Sequence, residues 1–326
     1  MKRNQSYIND LIEPFGPRVP LDQLIVEVNK LYHGFDATRY DSQHPEIFKH
    51  LPAIWREMVL HLGPENGPWR ILDFGCGTGF ESLQVLRLLP TGSIRSLVCY
   101  DPSPEMLSRC RLKVASVFSR AVFTSNYDEM LHLSTGVNLL LTNSLLHHLP
   151  DPYETIAGIT SLMAHDAFWL AGHEPSNRFY RNSELLNFVD RFFSARSWLR
   201  FMDPNSYKRR VRTFLRRKSD SGADTARAAV AAGLFELEPP RTAIDRLVDF
   251  HVAHSATEVS NDRGFDFEAM AEELVHVWER TWVKTYSYFG TYPEYEVPTN
   301  WRRKSRTLAA SYPKDGANFC SVWRRT

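Results

Sequence analysis

The chain has 326 residues and a formal net charge of +1, so it can bury a sizeable core as one elaborated domain or two small ones, and its charge selects no class of partner. No window approaches the roughly 18 apolar residues of a membrane helix, and the opening MKRNQSYINDLIEPFG lacks a continuous apolar stretch; a cytoplasmic protein without a membrane partner is expected. Cys76, Cys99, Cys110 and Cys320 form neither a CxxC pair nor a metal-ligand spacing, so the expectation is buried thiols and no metal site.

The first 62 residues read as an N-terminal helical cap rich in aromatics, NKLYHGFDATRYDSQHPEIFKHLPAIWREMVLHL. From 63 to 175 apolar runs alternate with amphipathic ones. WRILDF, RSLVCYD, AVFTSN, VNLLLTN and AFWLAGHEP have the composition of buried strands; ESLQVLRLL, PEMLSRCRLKVA and DPYETIAGITSLMA have helical periodicity. Such a βαβ series predicts a doubly wound, mainly parallel sheet. Ser103 before Pro104, and Asp151 before Pro152 and Glu154, mark two helix starts.

Residues 176 to 264 read as a helical lid inserted after the fifth strand. Leu185, Phe188, Val189, Phe192 and Leu199 fall on one helical face, and Phe188, Phe192, Phe193 and Trp198 suggest an apolar pocket wall. The following SYKRRVRTFLRRKSDSGADTARAAVAAG shows no core pattern beyond Val211 and Leu215. From 265 to 326, FDFEAMAEELVHVW reads as a helix, and TWVKTYSYF and NFCSVWRR as strands that close the sheet.

The stretch from Ile71 to Leu86, ILDFGCGTGFESLQVL, runs from a strand through three glycines into a helix. Without Cβ atoms, Gly75, Gly77 and Gly79 let a ligand approach backbone N–H groups at a helix N-terminus. Phe80 occupies the place of the third glycine in a dinucleotide fingerprint, and no Walker lysine follows. Asp73, two residues before the first glycine, opposes a pyrophosphate and favours an ammonium or sulfonium. Asp101 ends the next strand about 26 residues beyond Gly75, the spacing at which such folds place a carboxylate on ribose hydroxyls. A ribose and a cation together point to S-adenosyl-L-methionine.

LDFGCGTG, YDPSPEML and LLLTNSLLHHLPDP resemble successive motifs of the class I S-adenosylmethionine-dependent methyltransferases, particularly a small-molecule subgroup. The resemblance is strong from Trp69 to Pro175 and weaker on either side. It implies a seven-stranded, Rossmann-like sheet whose last strand is inserted antiparallel, with Gly75, Gly77 and Gly79 along the methionine moiety, Asp73 near its amino group and Asp101 on the ribose. Cys76, Pro102, Met106 and Asn143 lie in the same motifs, and Tyr40 in the cap is a further candidate for the methionine end, together with Tyr32. The third-strand motif departs from the pattern: SNYDEM offers Asn126 to the adenine edge and Tyr127 as its cover, with Asp128 as the fallback.

Beyond the fourth and fifth strands stand Asn143, Ser144, His147, His148, His173 and Glu174. Methyl transfer mainly requires alignment and exclusion of water, and a histidine suits the removal of a hydroxyl proton. His147, His148, His173 and Glu174 are therefore the catalytic candidates, against the bland reading that the adjacent histidines serve the turn into Pro150. The expected activity is methyl transfer to a small, partly apolar acceptor, at oxygen. The alternative is an enzyme of natural-product biosynthesis that binds the cofactor yet catalyses dehydration or a pericyclic step without consuming it. Nucleic-acid methylation ranks lower, since Asn143-Ser144-Leu145-Leu146 is not the motif of amino-directed enzymes and no Pro-Cys nucleophile occurs. The basic run YKRRVRTFLRRK at 207–218 is most simply a solvated face; its functional reading is a carrier protein or a phosphate-bearing substrate.

Overall fold

A computed structural model describes residues 2–63, 67–90, 92–195, 221–260, 263–290 and 299–326. Seven strands, β1 (Trp69–Phe74), β2 (Ile94–Tyr100), β3 (Val122–Thr124), β4 (Val137–Asn143), β5 (Met163–Pro175), β6 (Trp278–Tyr286) and β7 (Asn318–Arg325), form one sheet in the order β3-β2-β1-β4-β5-β7-β6. The first five run parallel, while β7 lies between β5 and β6 and is antiparallel to both. The chain builds outward from β1 to β3 and then returns to lay β4 on the other side of β1. The carboxyl ends of β1 and β4 therefore flank a crevice where crossover helices diverge to opposite faces.

Side-chain alternation divides the core. Ile71, Leu139, Leu141, Phe168 and Leu170 join one buried cluster with Trp55, Phe80, Val85 and Cys110 from the covering helices. Their neighbours Leu72, Leu140 and Trp169 face the opposite cluster, with Ile156, Ile159, Phe267 and Trp323. Trp169 stacks on Trp323 at 5.5 Å, and the indole N–H groups of Trp169 and Trp278 donate to Thr142 and Thr160 at 3.0 Å, so burying these rings strands no donor. The two expected helix starts are present. Ser103 Oγ accepts from Met106 N at 3.3 Å, and Asp151 Oδ1 accepts from Tyr153 N and Glu154 N at 3.0 Å each.

Two expectations about the insertion need correction. The helix Ser221–Ala231 is well packed: Thr225, Ala226 and Ala229 are buried with Ile8, Leu24, Ile25, Val28, Ile244 and Leu247. Its buried face is made of alanine, threonine and glycine, which a search for large apolar residues passes over. Close helix contact there lets the larger aliphatic partners bury, each contributing about 1.5–3 kcal/mol. The second correction concerns Phe188 and Phe192. The helix Ser183–Ala195 packs them against Phe289, Trp301 and Leu308, with Phe192 4.7 Å from the Trp301 ring, and neither lines the cavity below. Trp198 and Leu199, with the basic run 207–218, lie outside the described residues. All four cysteines are buried free thiols. No helix among the described residues is long and apolar enough to cross a membrane.

Candidate active site

A cavity of about 740 Å³ opens at the crevice between β1 and β4. Its floor is the turn after β1, where Gly75, Gly77 and Gly79 all have positive φ, at 76°, 51° and 86°. At Gly75 a Cβ would lie 2.6 Å from Leu145 Cδ1, whereas at Gly77 it would meet nothing within 4 Å, so Gly77 presents bare backbone to the cavity. Gly75 N and Cys76 N donate to Tyr100 O at 2.8 and 2.9 Å, which fastens the turn to the end of β2.

Asp101 sits at that end and lines the cavity. Its Oδ2 accepts from Gly77 N and its Oδ1 from Ser103 N, both at 2.9 Å. Burial pushes its carboxyl up to about 6, and the two N–H bonds offset only part of that. Phe74 and Tyr100 stack at 5.2 Å, and Tyr127 stands edge-on to both, forming an aromatic wall. Tyr40, Gly75, Cys76, Gly77, Asp101, Pro102, Met106, Tyr127 and Asn143 all line the cavity.

Five of the residues considered for the cofactor do not. Gly79 turns beneath the loop against Cys110 and Val114. Asn126 is exposed and caps the helix Tyr127–Leu133, its Oδ1 accepting from Glu129 N at 2.9 Å; Asp128 is exposed as well, and neither lines the cavity. Asp73 is fully buried one layer down, its Oδ2 accepting from Ser82 Oγ. The carboxyl that does line the wall here is Glu81, in the first turn of the helix Phe80–Leu88. The sequence held a signal for it: an acidic residue between Phe80 and Ser82 on a helix face that is otherwise buried. Tyr32 packs into the helical cap and does not line the cavity.

The four catalytic candidates separate in space. Glu174 is fully buried; its Oε1 accepts from Leu145 N and Leu146 N at 2.8 and 3.0 Å, and its Oε2 meets His147 Nδ1 at 2.9 Å. One carboxylate thus organises the turn 145–148. Burial pulls the His147 pKa down, but the hydrogen bond and charge of Glu174 outweigh it, and the net direction is upward. His173 lies outside the cavity with φ 54°, its Nδ1 2.5 Å from Tyr286 Oη. His148 alone of the four lines the cavity. Its Nδ1 bonds Val248 O at 2.6 Å, which makes Nδ1 the protonated nitrogen and leaves Nε2 with a lone pair. Burial, then the neighbouring His147 and His33, hold its pKa well below the ordinary value. His33, 4.9 Å from the His148 ring, is lowered to about 3, chiefly by burial.

Residues not among the candidates complete the other half. Asn29, Lys30 and His33 come from the cap helix Leu21–Asp36, and Leu149, Pro150 and Thr155 from the segment after β4. Asp41 Oδ1 accepts from Thr78 Oγ1 at 2.6 Å while its Oδ2 pairs with Lys113, so the cap segment is tied down beside the glycine turn.

Residues 47–214, just over half of the chain, match the family described as methyltransferase domain. No curated protein matches. Among solved structures, the plantazolicin methyltransferase BamL, with a triazolic analogue and S-adenosylhomocysteine, is 11% identical over 94% of this chain and 99% of its own, at a TM-score of 0.43. The phosphoethanolamine N-methyltransferase 1 of Haemonchus contortus is 16% identical over 48% of this chain, at a TM-score of 0.37; the match spans a third of that protein's length (33%). A putative O-methyltransferase from Klebsiella pneumoniae is 16% identical over 57% of this chain and 78% of its own, at a TM-score of 0.33. With a glycine turn between β1 and its helix, a carboxylate closing β2, an antiparallel β7 inserted before β6, and more than half its length matched, the chain belongs to the methyltransferase-domain family and has the class I methyltransferase fold.

Proposed function

We propose that the chain transfers the methyl group of S-adenosylmethionine to an oxygen of a small, partly apolar molecule. The observation that carries this reading is one continuous cavity reaching from the glycine turn and Asp101 to His148 and the cap helix, with volume for a nucleoside and a modest second ligand. The residues fit the cofactor. Gly77 leaves a bare cradle, Asp101 offers a desolvated carboxylate to ribose hydroxyls, and Phe74, Tyr100 and Tyr127 offer faces to an adenine. When bound, the cofactor supplies a methyl group activated by its sulfonium.

The chain's own groups do the rest. Leu145, Leu149 and Ile47 line the cavity with apolar surface that excludes water, and alignment in such a site supplies most of the rate. His148, neutral at physiological pH, accepts the hydroxyl proton on Nε2. Glu174 and His147 act through position, by holding the turn that carries His148. The anionic carrier or phosphate-bearing acceptor read from 207–218 rests on the charge of that run alone.

Incubation of the protein and methyl-labelled cofactor with candidate metabolites, followed by mass spectrometry and chromatography, tests the reading. Labelled product and S-adenosylhomocysteine should appear in equal amounts. Product formed without cofactor consumption would replace methyl transfer by the cofactor-positioned dehydration or pericyclic reading. His148→Gln should lower the rate by about 10²-fold at unchanged cofactor affinity, with the loss growing as pH falls.

A further inference from the structure

Asp73 Oδ1 is buried without an N–H or hydroxyl donor, although its partner oxygen is satisfied by Ser82. The side chain within hydrogen-bonding reach is Glu81, itself a carboxyl with 3% exposure. Two carboxylates cannot hydrogen-bond to each other; a carboxylic acid and a carboxylate can. Resting on the reading that S-adenosylmethionine binds in this cavity, we propose that Glu81 and Asp73 hold a single proton between them, that Glu81 forms the subsite for the cofactor's cationic end, and that the pair releases its proton when the sulfonium cofactor binds.

Several features agree with this assignment. The shared proton gives Asp73 Oδ1 the donor it otherwise lacks. Burial raises both carboxyls well above their ordinary values, and Glu81 is raised further by the charge of Asp73. The hydrogen bond between them ties the two carboxyls into one pair, whose member at the cavity wall is Glu81. The groups facing the pair are Ser82 from the same helix, Cys99 from β2, and Cys76 and Cys110 around Cys99. Among the described residues no lysine or arginine makes a salt bridge to either carboxyl, so no protein cation stands in the place of a ligand's positive charge.

The pair therefore stores one negative charge at rest and can expose a second. S-adenosylmethionine carries one more positive charge than the thioether left after transfer. A second carboxylate forming opposite the ligand favours the sulfonium form over its product, and the released proton goes to solvent. The device lets the site prefer substrate cofactor over spent cofactor although the two share every other group.

The test is calorimetric titration of the full chain with each ligand, repeated in buffers of different ionisation enthalpy near neutral pH. S-adenosylmethionine should release about one proton and S-adenosylhomocysteine clearly less. Glu81→Gln, whose amide still donates to Asp73, should abolish the release and weaken S-adenosylmethionine by about tenfold or more, with a smaller loss for S-adenosylhomocysteine. Thermal melting establishes that the variant is folded. Tight binding of S-adenosylmethionine with no proton release, or an unchanged preference between the two ligands in Glu81→Gln, overturns the proposal while leaving the methyltransferase reading intact. Failure of the wild-type chain to bind either ligand removes the premise and overturns both.

Discussion

The two halves of the cavity are built by different rules. On the side proposed for the cofactor the glycine turn, Asp101 and the aromatic wall come from consecutive strand ends, and the contacts that shape them run between neighbouring strands: Gly75 and Cys76 to Tyr100, Gly77 to Asp101. On the side proposed for the acceptor, His33, Asn29, the turn 145–150 and the support from Val248 come from segments distant in sequence, and Val248 O reaches His148 across 100 residues. A side assembled from local strand ends is readable as motif. A side assembled by tertiary packing can diverge freely, because each wall residue depends on a separate element.

Substitutions can break this contrast, and they rank by size. Gly75→Val should be the most severe, since the added Cβ meets Leu145 at 2.6 Å and φ is positive; a loss of roughly 4 kcal/mol in denaturant unfolding is expected, and cofactor binding should fall with it. If the variant unfolds like wild type, the turn is far more pliable than its contacts indicate. Phe192→Ala empties part of the satellite cluster with Trp301 and Phe289, costing about 3 kcal/mol. Its cofactor affinity, measured on folded protein, should not change; a marked loss would mean that this cluster communicates with the cavity.

Glu174→Gln probes the acceptor side through its scaffold. Two backbone donors and His147 lose a buried carboxylate, for a cost of about 2–3 kcal/mol. The His147 titration followed by NMR should move to lower pH, because burial then acts without its counterweight. An unmoved titration would show that Glu174 is not what holds that proton.

The smallest expected effect, and the most local, belongs to Asp101. Replacement by alanine should weaken either form of the cofactor by about 1.5–3 kcal/mol, through loss of charge-assisted bonds to the ribose. The pH dependence has a fixed sign. A buried carboxyl raised to about 6 favours folding when protonated, a contribution fully present below its unfolded value and lost as pH rises through about 6. Cofactor binding to the ionised form runs the other way, so affinity should drop as pH falls through about 6. Comparing the pH profiles of wild type and Asp101→Ala isolates that component from the one carried by Glu81 and Asp73.

Much of the fold was legible because period and punctuation agree. The apolar runs of β1, β4 and β5, the caps at Ser103 and Asp151, and the glycines after β1 are local signals, and each is present in the structure. The small-residue helix Ser221–Ala231 escaped because alanine carries little hydrophobic signal. Within the site, GxGxG and the β2 acid marked a cleft, but the sequence could not tell which acids line it. Asp73 lies at the strand end, and only the packing of Ser82 and Cys99 around it shows that it is buried away from the cavity, whose wall carries Glu81 instead. In the same way four candidate acids and bases were equivalent as letters, and hydrogen bonds across tens of residues decided that Glu174 and His147 brace the turn, that His173 turns to Tyr286, and that His148 faces the cavity. Periodicity and turn chemistry act between residues close in sequence and are written there; burial and proton position depend on which distant surfaces meet, and only the folded chain brings those surfaces together.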